Sequence, residues 1–257
     1  MKEIPLIGLG TWDLRGGLCT EIVQSAVEDG YHLIDTARMY GNEREVGEGI
    51  RYADRENLFI TSKVCSPDLS YAKTKKAVEE SLTAMGLEYI DLYLIHEPYA
   101  SSGEMYRALE DMVEEGKVRQ IGVSNFNKAF LESFLPYCRI RPAVDQVETH
   151  VYFQREELQE YLREQGILMQ AWSPLAAGKN HIFSDLVLHR IAENHSVTAA
   201  QAALKYLLQK GIGVIPKTSK KQRLQENLHL DFTLTENGMQ QIKSLDTGRS
   251  SFGWYEL

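Results

Sequence analysis

Four side chains suited to proton transfer lie at or just beyond the ends of three apolar runs in the sequence. Asp35 ends one run and Tyr40 follows it, Lys63 lies near the end of the next, and His96 comes directly after a third. A phenol has a pKa near ~10, and an adjacent lysine cation favours the phenolate and lowers that pKa. If Asp35 pairs with Lys63 and His96 binds the substrate oxygen, the set predicts proton transfer to a carbonyl oxygen.

Each of the four residues, taken alone, also has an ordinary structural interpretation. A strand-end aspartate often caps a helix, a tyrosine often packs at a rim, and a lysine is usually a solvated charge. A histidine such as His96 is as compatible with packing as with a site. The functional interpretation therefore depends on the four residues occurring together at the ends of three successive runs.

Short apolar runs alternate with helical periods along the whole chain. A glycine that ends a polar, helix-like stretch comes one to four residues before the start of five of them, and their Ile, Val, Leu and Tyr content is typical of strands buried on both faces. The eight runs cover residues 4–9, 31–35, 58–64, 90–95, 118–123, 143–147, 167–171 and 212–215, with a helix candidate after each. This α/β alternation predicts a parallel sheet, and eight units predict a (β/α)8 TIM barrel, here as a single domain over residues 1–257.

The main alternative is a doubly wound sheet, which needs a glycine fingerprint after its first strand. The segment "GLGTWD" supplies Gly8 and Gly10 but lacks the third glycine. In a barrel the working residues collect at the carboxyl ends of the strands, so the four proton-transfer residues would share one rim. Helix starts are predicted by three capping-box spacings: Ser101–Glu104, Thr198–Gln201 and Ser219–Gln222.

Composition narrows the class of protein. Hydrophobic residues make up 43% of 257 and charged residues 25%, as in ordinary globular domains. The net charge of −8 argues against a nucleic-acid partner, and no run approaches the ~20 apolar residues of a membrane span. Cys19, Cys65 and Cys138 have no metal spacing and read as reduced packing residues. Because "MKEIPLIGLG" has no apolar signal core, we expect a cytoplasmic protein. We also expect a monomer without a metal, a membrane or a nucleic-acid partner.

A local basic cluster stands out in this acidic chain. The segment "IPKTSKKQR", residues 215–223, follows the last apolar run and enters a helix. The loops after the last strands of a barrel and the free amides of a helix start both favour phosphate. A solvated helix face is the alternative interpretation of these charges.

The sequence resembles the aldo-keto reductase family, in particular its compact prokaryotic-type members. The matching segments "GLGTW", "IDTARMYGNE", "TSKV", "LIH", "GVSNF", "QVE", "WSPL" and "IPKTSKKQRLQEN" occur in family order over residues 8–227. The resemblance implies an NADPH/NADP+-dependent oxidoreductase that reduces a small-molecule aldehyde or ketone. It implies Tyr40 as general acid, Lys63 and Asp35 as the pair that tunes it, and His96 as the group that orients the substrate.

The resemblance also implies where NADPH binds. Thr11 and Trp12 would lie beside it. Ser124, Asn125 and Gln146 would hydrogen-bond the nicotinamide amide, and Trp172 would stack on the nicotinamide ring. Ser173 and Leu175 would line the pyrophosphate path, and the basic segment would bind the 2′-phosphate and adenine. The implied cofactor residues are Thr11, Trp12, Ser124, Asn125, Gln146, Trp172, Ser173, Leu175, Lys217, Thr218, Ser219, Arg223, Glu226 and Asn227. The implied substrate pocket comprises Trp12, Tyr40, His96 and Glu97.

Glu97 departs from the family pattern, and the position of the aromatic C-terminal tail has two interpretations. Glu97 stands where the family often has tryptophan, which suggests that bulky aromatic or strongly anionic substrates are disfavoured, unless Glu97 points to water. The aromatic tail residues Phe252, Trp254 and Tyr255 could cover the pocket mouth or pack on the barrel wall. Two other functions use the same rim: a barrel lyase, epimerase or hydrolase without nicotinamide, and an NADPH-binding redox-sensing or regulatory subunit with little turnover.

Overall fold

In the computed structural model, which describes residues 2–253, the eight predicted runs form one parallel sheet whose strands follow one another in chain order. Single bridges from Ile7 to Val214 and from Gly10 to Lys217 join the last strand to the first. The (β/α)8 barrel is thereby confirmed over the doubly wound alternative. The strands are β1 (Gly8–Gly10), β2 (Leu33–Asp35), β3 (Phe59–Val64), β4 (Ile90–Ile95), β5 (Val118–Ser124), β6 (Val144–Glu148), β7 (Leu168–Trp172) and β8 (Gly213–Val214).

The predicted strand limits are least accurate where the barrel closes. The run 4–9 contributes only Gly8 and Leu9 to β1, which continues to Gly10, and the run 212–215 contributes only Gly213–Val214. Pro5 lies within the first run and Pro216 follows the second. Proline has no amide hydrogen to donate to a ladder, so neither segment extends as a regular strand there.

Helices surround the barrel and follow each strand. Between β7 and β8 the described chain forms two helices rather than one, and the first of these was not predicted. The helices are α1 (Gly16–Glu28), α2 (Glu43–Ile50), α3 (Tyr71–Met85), α4 (Ser102–Glu114), α5 (Lys128–Phe134), α6 (Glu156–Glu164), α7 (Leu186–His195), α8 (Ala199–Gln209), α9 (Lys221–Leu228) and α10 (Glu236–Lys243).

The helix-end signals were predicted better than the helix-start signals. The five glycines that precede strands all have positive φ, from 67° to 100°, as a left-handed helix stop requires: Gly30, Gly86, Gly116, Gly166 and Gly211. Among the three capping boxes only Thr198–Gln201 forms. Ser101 makes no side-chain cap bond, since its Oγ donates to Met105 Sδ at 3.6 Å, and the Glu104 carboxylate accepts the backbone N–H of Tyr71 at 2.9 Å. Ser219 lies outside α9, whose N-cap is Lys220.

The core has two layers, which the alternation along each strand separates. Leu92 and Leu94 belong to a cluster inside the barrel, whereas Tyr93 and Ile95 of the same strand belong to the larger cluster between strands and helices. The three cysteines form no disulfide, as predicted. No helix within residues 2–253 is long and apolar enough to cross a membrane.

Candidate active site

The site is built on a buried ion pair between two neighbouring strands. Asp35 ends β2 and Lys63 lies on β3, and their side chains are 1% and 0% exposed. The Lys63 ammonium lies 2.6 Å from Asp35 Oδ1 and donates to the Thr36 carbonyl at 2.9 Å. Gln146 of β6 donates from across the barrel to Asp35 Oδ2 at 2.7 Å. Both carboxylate oxygens therefore have donors, as a charge removed from water requires.

Tyr40 is presented to this pair by a short helical turn after β2. The turn Arg38–Tyr40 ends at Gly41, whose φ of 63° sends the chain into α2. The Tyr40 hydroxyl lies 3.5 Å from Lys63 Nζ. The predicted group of Asp35, Lys63 and Tyr40 is thus brought together, with the ammonium between the carboxylate and the phenol.

The protonation states of Tyr40 and Lys63 follow from burial as well as from neighbouring charges. Burial raises the pKa of Tyr40 and outweighs the lowering effect of Lys63. The predicted net lowering of this pKa is therefore wrong, although the contribution of Lys63 has the expected sign. Burial opposes the charge on Lys63, but Asp35 and Tyr40 hold its pKa above the usual range. At neutral pH the site holds a phenol that retains its proton beside a lysine that retains its charge.

His96 follows β4 and faces the same phenol. Its ring centroid lies 5.7 Å from that of Tyr40, and Trp12 lies against the Tyr40 ring at 4.9 Å. Burial, with a smaller contribution from Lys63, lowers the pKa of His96 to about 3. Its Nδ1 atom is buried without a hydrogen-bond partner among residues 2–253. The neutral tautomer with its proton on Nε2 avoids an unpaired buried N–H group.

Asn125 links three sides of the rim. It has a φ of 64°, just after β5, and donates from Nδ2 to the His96 carbonyl at 3.0 Å. Its Oδ1 accepts the indole N–H of Trp172 at 2.7 Å. Ser124 is buried beside it and donates to the Gln146 carbonyl at 2.7 Å. Ser124, Asn125 and Gln146, which are predicted to hold the nicotinamide, are therefore ordered by hydrogen bonds within the protein.

A cleft of about 1190 Å³ runs over this rim and contains Tyr40, His96 and Glu97 in its lining. All of the predicted cofactor residues line it except Ser124 and Ser219. Those that do are Thr11, Trp12, Asn125, Gln146, Trp172, Ser173, Leu175, Lys217, Thr218, Arg223, Glu226 and Asn227.

The end of the cleft beside α9 carries positive charge without a protein partner. Lys217 and Arg223 line it, and neither forms an ion pair within residues 2–253, whereas Lys221 outside the cleft pairs with Glu21 at 2.9 Å. The N-cap of α9, Lys220, gives no side-chain cap bond, and within residues 2–253 the Arg223 amide donates to the Lys220 carbonyl, so the Lys221 and Gln222 amides are the ones available to an anion. The donors at this end fit the phosphates of a nucleotide.

The opposite wall of the cleft was not predicted. It is formed by the segment after β7 and by α7 and α8, through Gly178, Phe183, His189, Ala192, Glu193, Val197, Thr198, Ala199 and Ala200. Its residues lie in the long segment between β7 and α7 and in two helices rather than directly at a strand end, although His189 and Glu193 of α7 are titratable.

The C-terminal segment reaches the cleft through Phe252. Ser250 Oγ and the Ser251 amide donate to the buried Glu148 carboxylate at 2.6 and 2.7 Å. Phe252 then packs on Trp172 at a centroid distance of 5.2 Å and lines the cleft. For this residue the pocket-mouth alternative is therefore correct, while Trp254 and Tyr255 lie outside the described residues.

Comparison with known proteins decides the family. Residues 6–247 match the model of the aldo/keto reductase family. The chain belongs to that family. It is 45% identical over 250 residues to the 9,11-endoperoxide prostaglandin H2 reductase of Trypanosoma cruzi, covering 95% of this chain and 88% of that one. The NADPH-dependent D-xylose reductase of Candida boidinii is 35% identical over 96% of this chain and 91% of its own length.

A solved structure agrees with the same assignment. An aldo-keto reductase from a Medee basin deep-sea metagenome library superposes with a TM-score of 0.95 at 41% identity, over 96% of this chain and 93% of that one. As an aldo-keto reductase, the chain is an NADP-dependent oxidoreductase that reduces carbonyl groups. No cluster of three His, Cys, Asp or Glu side chains within the described residues is placed to hold a metal ion.

Proposed function

We propose that this reductase converts aldehydes and ketones to alcohols with Tyr40 as the general acid. The observation that carries the proposal is the contact of the Tyr40 hydroxyl, 3.5 Å from Lys63 Nζ, on the wall of the cleft. NADPH supplies the hydride when it is bound. As the substrate oxygen gains negative charge, the Tyr40 O–H gives it a proton, and the Lys63 cation stabilises the phenolate that remains.

His96 orients the substrate in this proposal rather than transferring its proton. A neutral imidazole with its proton on Nε2 can donate to the same carbonyl oxygen that Tyr40 protonates. Two donors on one oxygen fix which face of the carbonyl is presented to the cofactor. Asn125 accepts from the Trp172 indole and donates to the His96 carbonyl, so it fixes the position of Trp172 on the cofactor side relative to His96 on the substrate side.

The proposal is tested by following NADPH oxidation with a panel of aldehydes, α-dicarbonyls, keto-sugars and quinones. Stoichiometric formation of the alcohol is expected with at least one class. NADPH binding without turnover of any class would favour the regulatory-subunit alternative, and turnover of a substrate without NADPH would favour the lyase or hydrolase alternative.

The pH dependence of kcat/KM should lack a histidine ionisation. His96 has a pKa lowered to about 3, so it is neutral throughout the accessible range. Tyr40 has a raised pKa and stays protonated until well into alkaline pH. We therefore expect kcat/KM for reduction to be flat between roughly pH 6 and 9. A break near pH ~6.5, the ordinary value for histidine, would contradict the neutral state assigned to His96.

Arg223 and Lys217 should set the preference for NADPH over NADH. We propose that they bind the 2′-phosphate, because both line that end of the cleft and neither forms an ion pair within residues 2–253. Loss of one charge-assisted contact in Arg223→Ala should raise the Kd for NADPH by roughly 10- to 100-fold and leave that for NADH nearly unchanged. Lys221→Ala is the matched control, since Lys221 is exposed, does not line the cleft and pairs with Glu21. Equal weakening of both cofactors in Arg223→Ala would place the contact elsewhere on the dinucleotide.

A further inference from the structure

Glu97 places a carboxylate at the carbonyl-binding end of the cleft. It follows His96 directly and lines the cleft together with His96 and Tyr40. The strands follow one another around the barrel in chain order, so the end of β4 lies across the rim from the end of β8. The acid is therefore far from the Lys217 and Arg223 cations.

Tyr99 holds this carboxylate in place. Its hydroxyl donates to Glu97 Oε2 at 3.2 Å and accepts the backbone N–H of Ser66 at 3.2 Å. Burial, aided by Glu97 and opposed by the Ser66 contact, raises the pKa of Tyr99 to about 12, so the hydroxyl stays a donor at any physiological pH. Glu97 is half-buried, and its direction is set by the loop after β4 rather than by solvent.

Among the described residues, no lysine or arginine lines the cleft at this end. Asp13 also lines the cleft, but it follows β1, which adjoins β8. Lys63 is compensated by Asp35 at 2.6 Å. Lys179 does not line the cleft; it lies over the Phe252 ring at 4.1 Å on the side of β7. The carbonyl-binding end therefore carries the Glu97 carboxylate, whereas the Lys217 and Arg223 cations lie at the nucleotide end together with Glu226.

We propose that Glu97 is a specificity-determining residue that selects substrates by charge. It favours carbonyl compounds that carry a cationic group and disfavours those that carry a carboxylate, with neutral compounds between. This inference rests on the proposed reductase function and adds the substrate class to it.

The expected size of the effect follows from Coulomb's law. A unit charge on the substrate roughly 8 Å from the carboxylate, at an effective dielectric constant of about 20, changes an equilibrium constant by roughly 30-fold. Because Glu97 is half-exposed, water and salt reduce this factor to about 10-fold. The discrimination should also shrink as salt rises, since the Debye length shortens.

The test compares three aldehydes of similar length in wild type and in Glu97→Gln, which keeps the shape and removes the charge. The probes are 4-oxobutanoate, butanal and 4-(trimethylammonio)butanal, with NADPH oxidation as the signal. In the variant, kcat/KM for 4-oxobutanoate relative to butanal should rise about 10-fold, and that for the ammonium compound relative to butanal should fall about 10-fold. Tyr99→Phe should shift both ratios in the same directions by less.

Glu88→Gln is the matched control, because Glu88 is exposed at the other end of β4 and its loss changes the net charge equally. Both ratios should stay at their wild-type values in that control. Ratios that stay within about two-fold in Glu97→Gln would overturn the role of Glu97 while leaving reduction of butanal intact. Absence of NADPH oxidation with any aldehyde, in wild type and control alike, would instead overturn the reductase proposal.

A measurement on wild type decides the matter if Glu97→Gln does not fold. Between about 20 mM and about 500 mM salt, the preference for the ammonium compound over 4-oxobutanoate should fall several-fold. A preference that does not respond to salt would overturn selection by charge.

Discussion

Tyr40→Phe is expected to lower kcat for aldehyde reduction by roughly 10²- to 10⁴-fold. The substitution removes the one O–H group that lies beside Lys63 on the cleft wall and leaves the ring contacts with Trp12 and His96 in place. The substrate oxygen then gains negative charge without a proton donor. The Kd for NADPH, measured by fluorescence, should change little, because the lost hydroxyl contributes proton delivery rather than cofactor binding.

Tyr93→Phe is the matched control for this loss. The Tyr93 hydroxyl is also buried and lies 2.8 Å from Ser81 Oγ, but its ring faces the helices rather than the cleft. Its removal should cost about 1–3 kcal/mol of unfolding free energy and leave kcat near the wild-type value. Near-normal turnover in Tyr40→Phe, or an equal loss in Tyr93→Phe, would show that Tyr40 is not the acid.

The barrel was predictable because its main signals are local. A strand buried on both faces reads as a short apolar run, and a glycine stop such as Gly86 needs only its own backbone angle. Helix starts depend more on distant neighbours. Ser101 has the spacing of a capping box, but its partner Glu104 is taken by the Tyr71 amide from another helix. No local pattern in the sequence contains that competition.

The site likewise has features that could be predicted from the sequence and features that could not. The ends of parallel strands converge on one rim, so Asp35, Lys63 and His96 could be brought together from their positions alone. The net direction of the Tyr40 pKa could not, because it depends on how completely the folded chain excludes water from the phenol. The wall formed by α7 and the anchoring of Phe252 through Glu148 also required the three-dimensional structure, since neither α7 nor Phe252 directly follows a strand in sequence.

Lys63→Met is expected to impair both stability and catalysis. The Asp35 carboxylate, 1% exposed, would lose the ammonium at 2.6 Å and keep only its bond from Gln146. Leaving one partner of a buried pair uncompensated costs roughly 3–5 kcal/mol of unfolding free energy. The phenolate of Tyr40 would also lose its stabilising cation, so kcat should fall by at least about 10²-fold.

The stability deficit of Lys63→Met should grow with pH. Burial raises the pKa of Asp35 in the folded state, and without Lys63 nothing described here opposes that rise except the Gln146 contact. A raised folded-state pKa means that the folded variant binds a proton that the unfolded chain has released. Its unfolding free energy therefore falls as pH rises toward that pKa. Urea unfolding at about pH 5 and about pH 8 should show the larger deficit at the higher pH.

The double variant Asp35→Asn with Lys63→Met separates the two effects. Asparagine removes the uncompensated charge and can still accept from Gln146, so the unfolding free energy should recover to within about 1–2 kcal/mol of wild type and lose its extra pH dependence. Catalysis should not recover, because the phenol still lacks a cation beside it. Recovery of kcat together with stability would show that Lys63 serves only to neutralise Asp35. Recovery of stability without recovery of kcat would show that the Lys63 ammonium supports proton transfer by Tyr40.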